Sequence, residues 1–279
     1  MTTDPATLSP VEGGDPANAI DDKRMSFLDH LAELRTRLRN AVLFFLGGTI
    51  VGVVFVDRLF DFLTRPVRAA WIDAKVGGLP EFTFMSLSEP FWVYTKLALM
   101  AGLLVSAPFI LWELWRFIAP GLYRKEKRLA LLVAMATGLC FSGGALFGYS
   151  LLCYPAAKYL LGFAGVFPGH LQFQLRPTVM MNEIFSFQMM LLAGCGVAFE
   201  LPVVLGVLGW MGMITSKGLW RFNRFAIVLA AIVGGVLTPG PDVLSQVLMA
   251  GPLFGLYNLS ILVVWLLERR RRRAAKATA

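Results

Sequence analysis

A chain of 279 residues with 57% hydrophobic and only 16% charged residues, and a mean hydropathy of +0.65, is too apolar to be an ordinary water-soluble domain. Its formal charge of +8 fits either nucleic acid or the topology signal of a membrane protein, so the position of the cations decides. Cys140, Cys153 and Cys195 lie in or beside apolar runs without a CxxC spacing, which argues against a zinc site or a disulfide framework.

In chain order, residues 1–24 are rich in Pro, Gly, Asp and Thr and read as a disordered tail without the apolar centre of a cleavable signal. From Met25 the pattern changes. Phe27, Leu28, Leu31, Leu34 and Leu38 recur at helical spacing while His30, Glu33 and Arg37 fall on another face, predicting an amphipathic interfacial helix that runs into a first span at about 40–56. An amphipathic loop with Pro66, Trp71 and Pro80 precedes the second span, about 90–118, in which Pro108 predicts a kink. The third span covers about 129–153. A polar loop holding Pro155, Pro168, His170 and Pro177 leads to the fourth, about 182–213, with Pro202 inside it. The fifth and sixth, about 222–237 and 247–267, are separated by Thr238-Pro239-Gly240-Pro241-Asp242. The fifth is short for a bilayer core of about 30 Å and predicts local thinning or tilt. Residues 268–279 form a basic tail. The expected fold is all-α, six membrane-spanning helices within 25–267.

This layout places 19 of the 26 Lys and Arg on one side: Lys23, Arg24, Arg35, Arg37 and Arg39; Arg116, Arg124, Lys125, Lys127 and Arg128; Lys217, Arg221 and Arg224; and Arg269 through Arg273 with Lys276. By the positive-inside rule both termini are cytoplasmic, and the arginine run reads as a lipid-headgroup anchor, not a nucleic-acid patch.

The sequence holds no GxxxxGK[ST], GxGxxG, HExxH or GxSxG motif, and His30 and His170 are far apart. No cofactor, metal or enzymatic activity is expected. No matching halves with broken helices point to a secondary transporter. An ionisable residue within a span is a functional hypothesis by default, and Glu200, deep in the fourth span, is the foremost. It reads either as a protonated carboxyl bonded to neighbouring backbone or as a polar contact for a partner helix or a translocating chain. Glu33 and Arg37 have the spacing of a helical ion pair, and Glu126 lies among Arg124, Lys125, Lys127 and Arg128. Carboxylates at helix ends also receive guanidinium groups by forked hydrogen bonds that Lys reproduces poorly. Lys96 is spaced to snorkel or to pair with Glu89, Glu113 reads as interfacial, and Asp242 as a cap of the sixth helix.

The segments His30-Leu31-Ala32-Glu33-Leu34-Arg35-Thr36-Arg37-Leu38, Ser106-Ala107-Pro108, Phe117-Ile118-Ala119-Pro120-Gly121-Leu122-Tyr123 to Glu126, Phe199-Glu200-Leu201-Pro202, and Leu237-Thr238-Pro239 through Asp242 to Gln246 together resemble TatC, the multi-spanning subunit of the twin-arginine protein translocase. The resemblance covers about Met25 to Leu267. It implies a concave, glove-like six-helix fold in the bacterial inner membrane that binds twin-arginine signal peptides of folded cargo. It also implies recruitment of TatA-type and TatB-type single-span subunits, self-association within the complex, and transport driven by the proton motive force. Carried over, it assigns signal-peptide binding to Glu126, Glu33, Arg35 and Phe117, an intramembrane or partner-contact role to Glu200, Asp242 and Gln246, and structural roles to Pro66, Pro108 and Pro202. Three departures stand out: Gly240 interrupts the usual Thr-Pro-Pro-Asp, Asn258 replaces a glutamate, and Glu113 replaces a glutamine, adding a carboxylate for basic signal residues. The other readings of the residues are an ion-coupled transporter using Glu200 and a purely structural scaffold.

Overall fold

The computed structural model describes residues 16–75, 78, 80–118, 127–166, 174–175, 177–237 and 243–277. Six helical stretches among them are long and apolar enough to cross a bilayer: His30–Val54, Glu89–Phe117, Val133–Leu161, Met181–Met211, Ser216–Leu237 and Met249–Arg273.

Helix α1 (Pro16–Val54) is continuous. The amphipathic segment runs into the first span without a break, as expected, and the helix already includes Pro16–Arg24, which composition assigns to a tail. Helix α2 (Val56–Asp73) replaces the predicted loop. Its buried Leu63, Val67, Ala70 and Trp71 recur at helical spacing on one face. After β1 (Phe82–Thr83), α3 (Glu89–Ile118) forms the second span at the expected place, with Pro108 inside it. Helix α4 (Lys127–Phe147) passes through a π-helical turn (Gly148–Cys153) into α5 (Tyr154–Leu161). The third span thus ends eight residues later than predicted, because Pro155 falls in the first turn of α5, where its missing N–H costs nothing. Short strands β2 (Gly165–Val166) and β3 (Gln174–Leu175) pair antiparallel, and β4 (Val179–Met180) pairs in parallel with β1.

The fourth span is split into α6 (Met181–Ala198) and α7 (Leu201–Met211) around Phe199 and Glu200. Helix α8 (Ser216–Leu237) starts six residues before the predicted fifth span. At about 1.5 Å per residue, 22 residues reach about 33 Å. The early start is secured by Glu268, whose carboxylate accepts from the Ser216 backbone N–H at 2.8 Å and from its hydroxyl at 2.7 Å, satisfying a free helix-end donor. Helix α9 (Val243–Ala277) runs on through Arg269–Arg273, so the basic run is the last part of a helix, not a detached tail.

The centre gathers Leu63 from α2, Val93 and Leu97 from α3, and Phe185 and Leu191 from α6, with Phe60 stacked between Tyr94 and Phe185. Asp73 accepts hydrogen bonds from Tyr154 and Lys158, fixing the end of α2 to α5 and holding its carboxyl below the usual carboxylate range. In lipid, helices gain little from apolar contact alone and associate by close backbone approach through small residues. The α1–α3 seam does this. A Cβ at Gly48 would lie 2.6 Å from the Gly102 carbonyl oxygen, and Gly52 faces Ala98. Gly47, by contrast, faces open space. Gly48→Leu is expected to destabilise the purified protein by about 2 kcal/mol or more, as overpacking does, and Gly47→Leu to leave it near wild type; thermal melts in detergent decide.

Candidate functional site

Residues 30, 33 and 37 fall on the face of α1 that meets the last turns of α3. There Arg37 Nη1 donates to Glu113 Oε2 at 2.9 Å and Nη2 to Glu33 Oε1 at 3.1 Å. Arg116 lies 3.9 Å from the other Glu113 oxygen. One turn further along, the His30 and Phe117 rings stack at 4.6 Å. The expected Glu33–Arg37 pair is present. Glu113, near the end of its span, is buried against protein. It is 5% exposed, because α1 lies over it, and Arg37 already engages it. The Nε of Arg37 is buried without a hydrogen-bond partner.

The structure therefore brings Glu33 and Phe117 to one helix end. Arg35, two residues from Glu33, is exposed on another face of α1 and makes no ion pair among the described residues. Glu126 and Asp242 lie outside the described residues.

Within the bilayer portion, Glu200 occupies the break between α6 and α7, against the Phe141 turn of α4. One carboxylate oxygen, Oε1, is buried with no partner. Pro202 sits in the first turn of α7, where its missing N–H belongs to the helix-end donors anyway. Gln246 donates from Nε2 to the Ala231 carbonyl at 2.9 Å, tying α9 to α8, while Asn258 bonds back to Phe254 of its own helix. Lys96 does not pair with Glu89. Its amine donates across to Asn182 Oδ1 at 2.7 Å and Ser186 Oγ at 3.2 Å on α6, while Glu89 accepts the backbone N–H groups of Met85 and Asn182. Among the described residues no group of His, Cys, Asp or Glu is placed to hold a metal ion.

Sequence reasoning missed Gln188 and Tyr149, and Pro66 explains the latter. Proline has no N–H for the carbonyl four residues back. The Phe62 carbonyl instead accepts from the Tyr149 hydroxyl at 2.9 Å, and its neighbour, the Leu63 carbonyl, from Gln188 Nε2 at 2.8 Å. Pro108 has a packing role as well: a Cβ on Gly138 of α4 would lie 2.8 Å from its ring. The signal for the Pro66 arrangement lay in the helical spacing of Leu59, Leu63, Val67, Ala70 and Trp71, which the proline hides from a loop-oriented reading.

Fold and sites define a multi-pass helical membrane protein with ion-paired carboxylates at one helix end and a separate, uncharged-neighbour carboxyl within the bundle. Residues 29–252 match the family model of the Sec-independent protein translocase protein TatC. The chain is 33% identical over 261 residues to the Sec-independent protein translocase protein TatC of Koribacter versatilis, covering 91% of each. To the protein of that name from Aquifex aeolicus it is 36% identical over 255 residues, covering 91% of this chain and 100% of that one. A crystal structure of the twin-arginine translocase receptor TatC matches it with a TM-score of 0.73 at 36% identity, covering 86% of this chain and 99% of that one. The chain belongs to the TatC family, and it is a multi-pass protein of the bacterial inner membrane.

If Tyr149 serves the carbonyl that Pro66 frees, the two residues are coupled. Tyr149→Phe is expected to cost about 1 kcal/mol in the wild-type background. In a Pro66→Ala background, where a backbone N–H is restored, the same change is expected to cost close to nothing; a double-mutant cycle of melting in detergent measures the difference.

Proposed function

We propose that this chain is the core receptor subunit of a twin-arginine translocase. It binds the twin-arginine signal peptides of folded proteins at the α1–α3 helix end and recruits TatA-type and TatB-type single-span subunits within the bilayer, for export driven by the proton motive force. It is a binding and scaffold subunit, not an enzyme, and it self-associates within the complex. In this reading both termini are cytoplasmic. An up-and-down bundle puts the start of α1, the ends of α3 and α9 and the start of α8 on one side, where most of the cations lie.

The observation that carries this reading is that carboxylates at this end already engage a guanidinium: Glu33 and Glu113 hold Arg37 at 3.1 and 2.9 Å. Glu33 and, by its family position, Glu126 take the signal arginines, with Arg35 and Phe117 flanking them. The apolar part of the signal then lies in a groove of about 440 Å³ lined by Phe45, Leu99, Met100, Leu103 and Met189, with Lys96 and Ser186 as its polar members. Glu200, Asp242 and Gln246 serve the partner helices, and Pro66, Pro108 and Pro202 maintain the frame. The unpartnered Oε1 of Glu200 supports its assignment, since a buried acceptor in lipid favours a donor from outside the bundle.

A synthetic signal peptide with its arginine pair is expected to bind the protein in nanodiscs at least about tenfold more tightly than its dilysine form, as loss of charge-assisted hydrogen bonds predicts. Glu126→Ala and Glu33→Ala should each remove most of that preference; equal affinities for both peptides in the wild type would refute the receptor reading. For Glu200 the readout is assembly. Glu200→Leu should alter site-specific crosslinks to the single-span subunits, and an unchanged crosslink pattern would remove it from the partner site.

A further inference from the structure

At the α1–α3 helix end an arginine is already in place. Arg37 is not matched fork to fork with one carboxylate. It divides its two terminal nitrogens between Glu33, on its own helix, and Glu113, across the seam. Each carboxylate accepts from Arg37 through one oxygen only, and the fifth donor, Nε, is buried with no acceptor. The arrangement uses the guanidinium incompletely. The two carboxylates also differ in access: the Glu33 side chain is 31% exposed, that of Glu113 only 7%. A charged group from solvent reaches Glu33 and not Glu113.

We propose that Arg37 is a resident arginine that gates Glu33: an incoming guanidinium takes Glu33 by exchange, while Arg37 closes its fork onto the buried Glu113. This rests on the receptor reading above and makes Arg37 and Glu113 specificity-determining residues of signal capture. The exchange keeps charge and hydrogen bonding balanced. Before it, Arg37 serves both carboxylates, with Arg116 3.9 Å from Glu113; after it, the incoming guanidinium serves Glu33 and Arg37 joins Arg116 on Glu113. Neither carboxylate is left bare, which matters because a buried unpaired charge is costly. An ammonium is a compact point charge without a planar fork. It replaces the released N–H···O contact at Glu33 less well, so Arg37 stays in place and a lysine signal is rejected by competition from inside the protein.

The scheme makes an epistatic prediction that a merely structural ion pair does not. The measurement is equilibrium binding of a fluorescent synthetic signal peptide, in diarginine and dilysine forms, to the full chain with its partner subunits in nanodiscs. In Glu113→Gln, Arg37 loses its alternative partner and holds Glu33 more firmly, so diarginine binding is expected to fall about fivefold or more. In Arg37→Gln, Glu33 is vacant, and the preference for arginine over lysine is expected to shrink toward one. Adding Arg37→Gln to Glu113→Gln removes both charges and restores diarginine binding to within about twofold of wild type. Because the double variant leaves no unpaired buried charge at this seam, the remaining Glu33 and Arg116 being partly exposed, its recovery also shows that the Glu113→Gln loss is not a folding defect. Wild-type affinity in Glu113→Gln, or a double variant that stays as weak as Glu113→Gln with the arginine preference intact, overturns the proposal while leaving the receptor reading standing. Absence of any arginine preference in the wild type overturns both.

Discussion

The close approach of α1 and α3 is the constraint on which the rest depends. One antiparallel register pairs Gly52 with Ala98, Gly48 with Gly102 and, farther along, Arg37 with Glu113. The glycines let the backbones touch, and the touching backbones carry the charged ends into alignment. A bulkier residue at the crossing would separate the helices and move the ion pair together with the His30–Phe117 stack. Helix packing in the bilayer and charge geometry at its edge are therefore one arrangement seen at two depths.

A second constraint is that backbone groups in lipid must find partners inside the protein. The fold meets it differently at each proline. Pro155 and Pro202 are placed in first turns, where no donor is required. Pro66 is in mid-helix and leaves the Phe62 carbonyl without its usual N–H, which Tyr149 replaces from α4's π-helical continuation, while Gln188 of α6 donates to the next carbonyl, that of Leu63. These two bonds tie α2 to the bundle by its own backbone. An irregularity in one helix thus becomes a tertiary link.

This division also explains what was legible in the sequence. Apolar runs bounded by charge give the six spans and their order, since lipid imposes length directly. The positions of Glu33, Arg37 and Phe117 follow from helical spacing combined with the family motifs. Helix ends were less legible because they are set by distant groups: the start of α8 depends on Glu268, fifty-two residues away, and the end of the third span on how Pro155 is accommodated. The partners of Lys96 were illegible for the same reason. Local spacing offered Glu89 as one alternative to snorkelling, whereas tertiary packing supplied Asn182 and Ser186. The burial of Glu113 could not be read from α3 alone, since it is α1 that covers it.

The two groups of carboxylates are chemically distinct, and their surroundings keep them so. Glu33 and Glu113 lie among Arg37 and Arg116, and this paired setting suits cationic forks. Glu200 has no ion pair among the described residues and a buried, unpartnered oxygen, so it suits a neutral donor brought by another helix. A basic peptide segment held at the depth of Glu200 would carry its charge into lipid at a cost of about 2.5 to 3.5 kcal/mol per residue on insertion scales. An apolar helix at the charged end would leave those carboxylates without new partners. Under the proposed function, depth alone would sort the two classes of ligand, a signal at the charged edge and a partner helix at the centre, without either competing for the other's site.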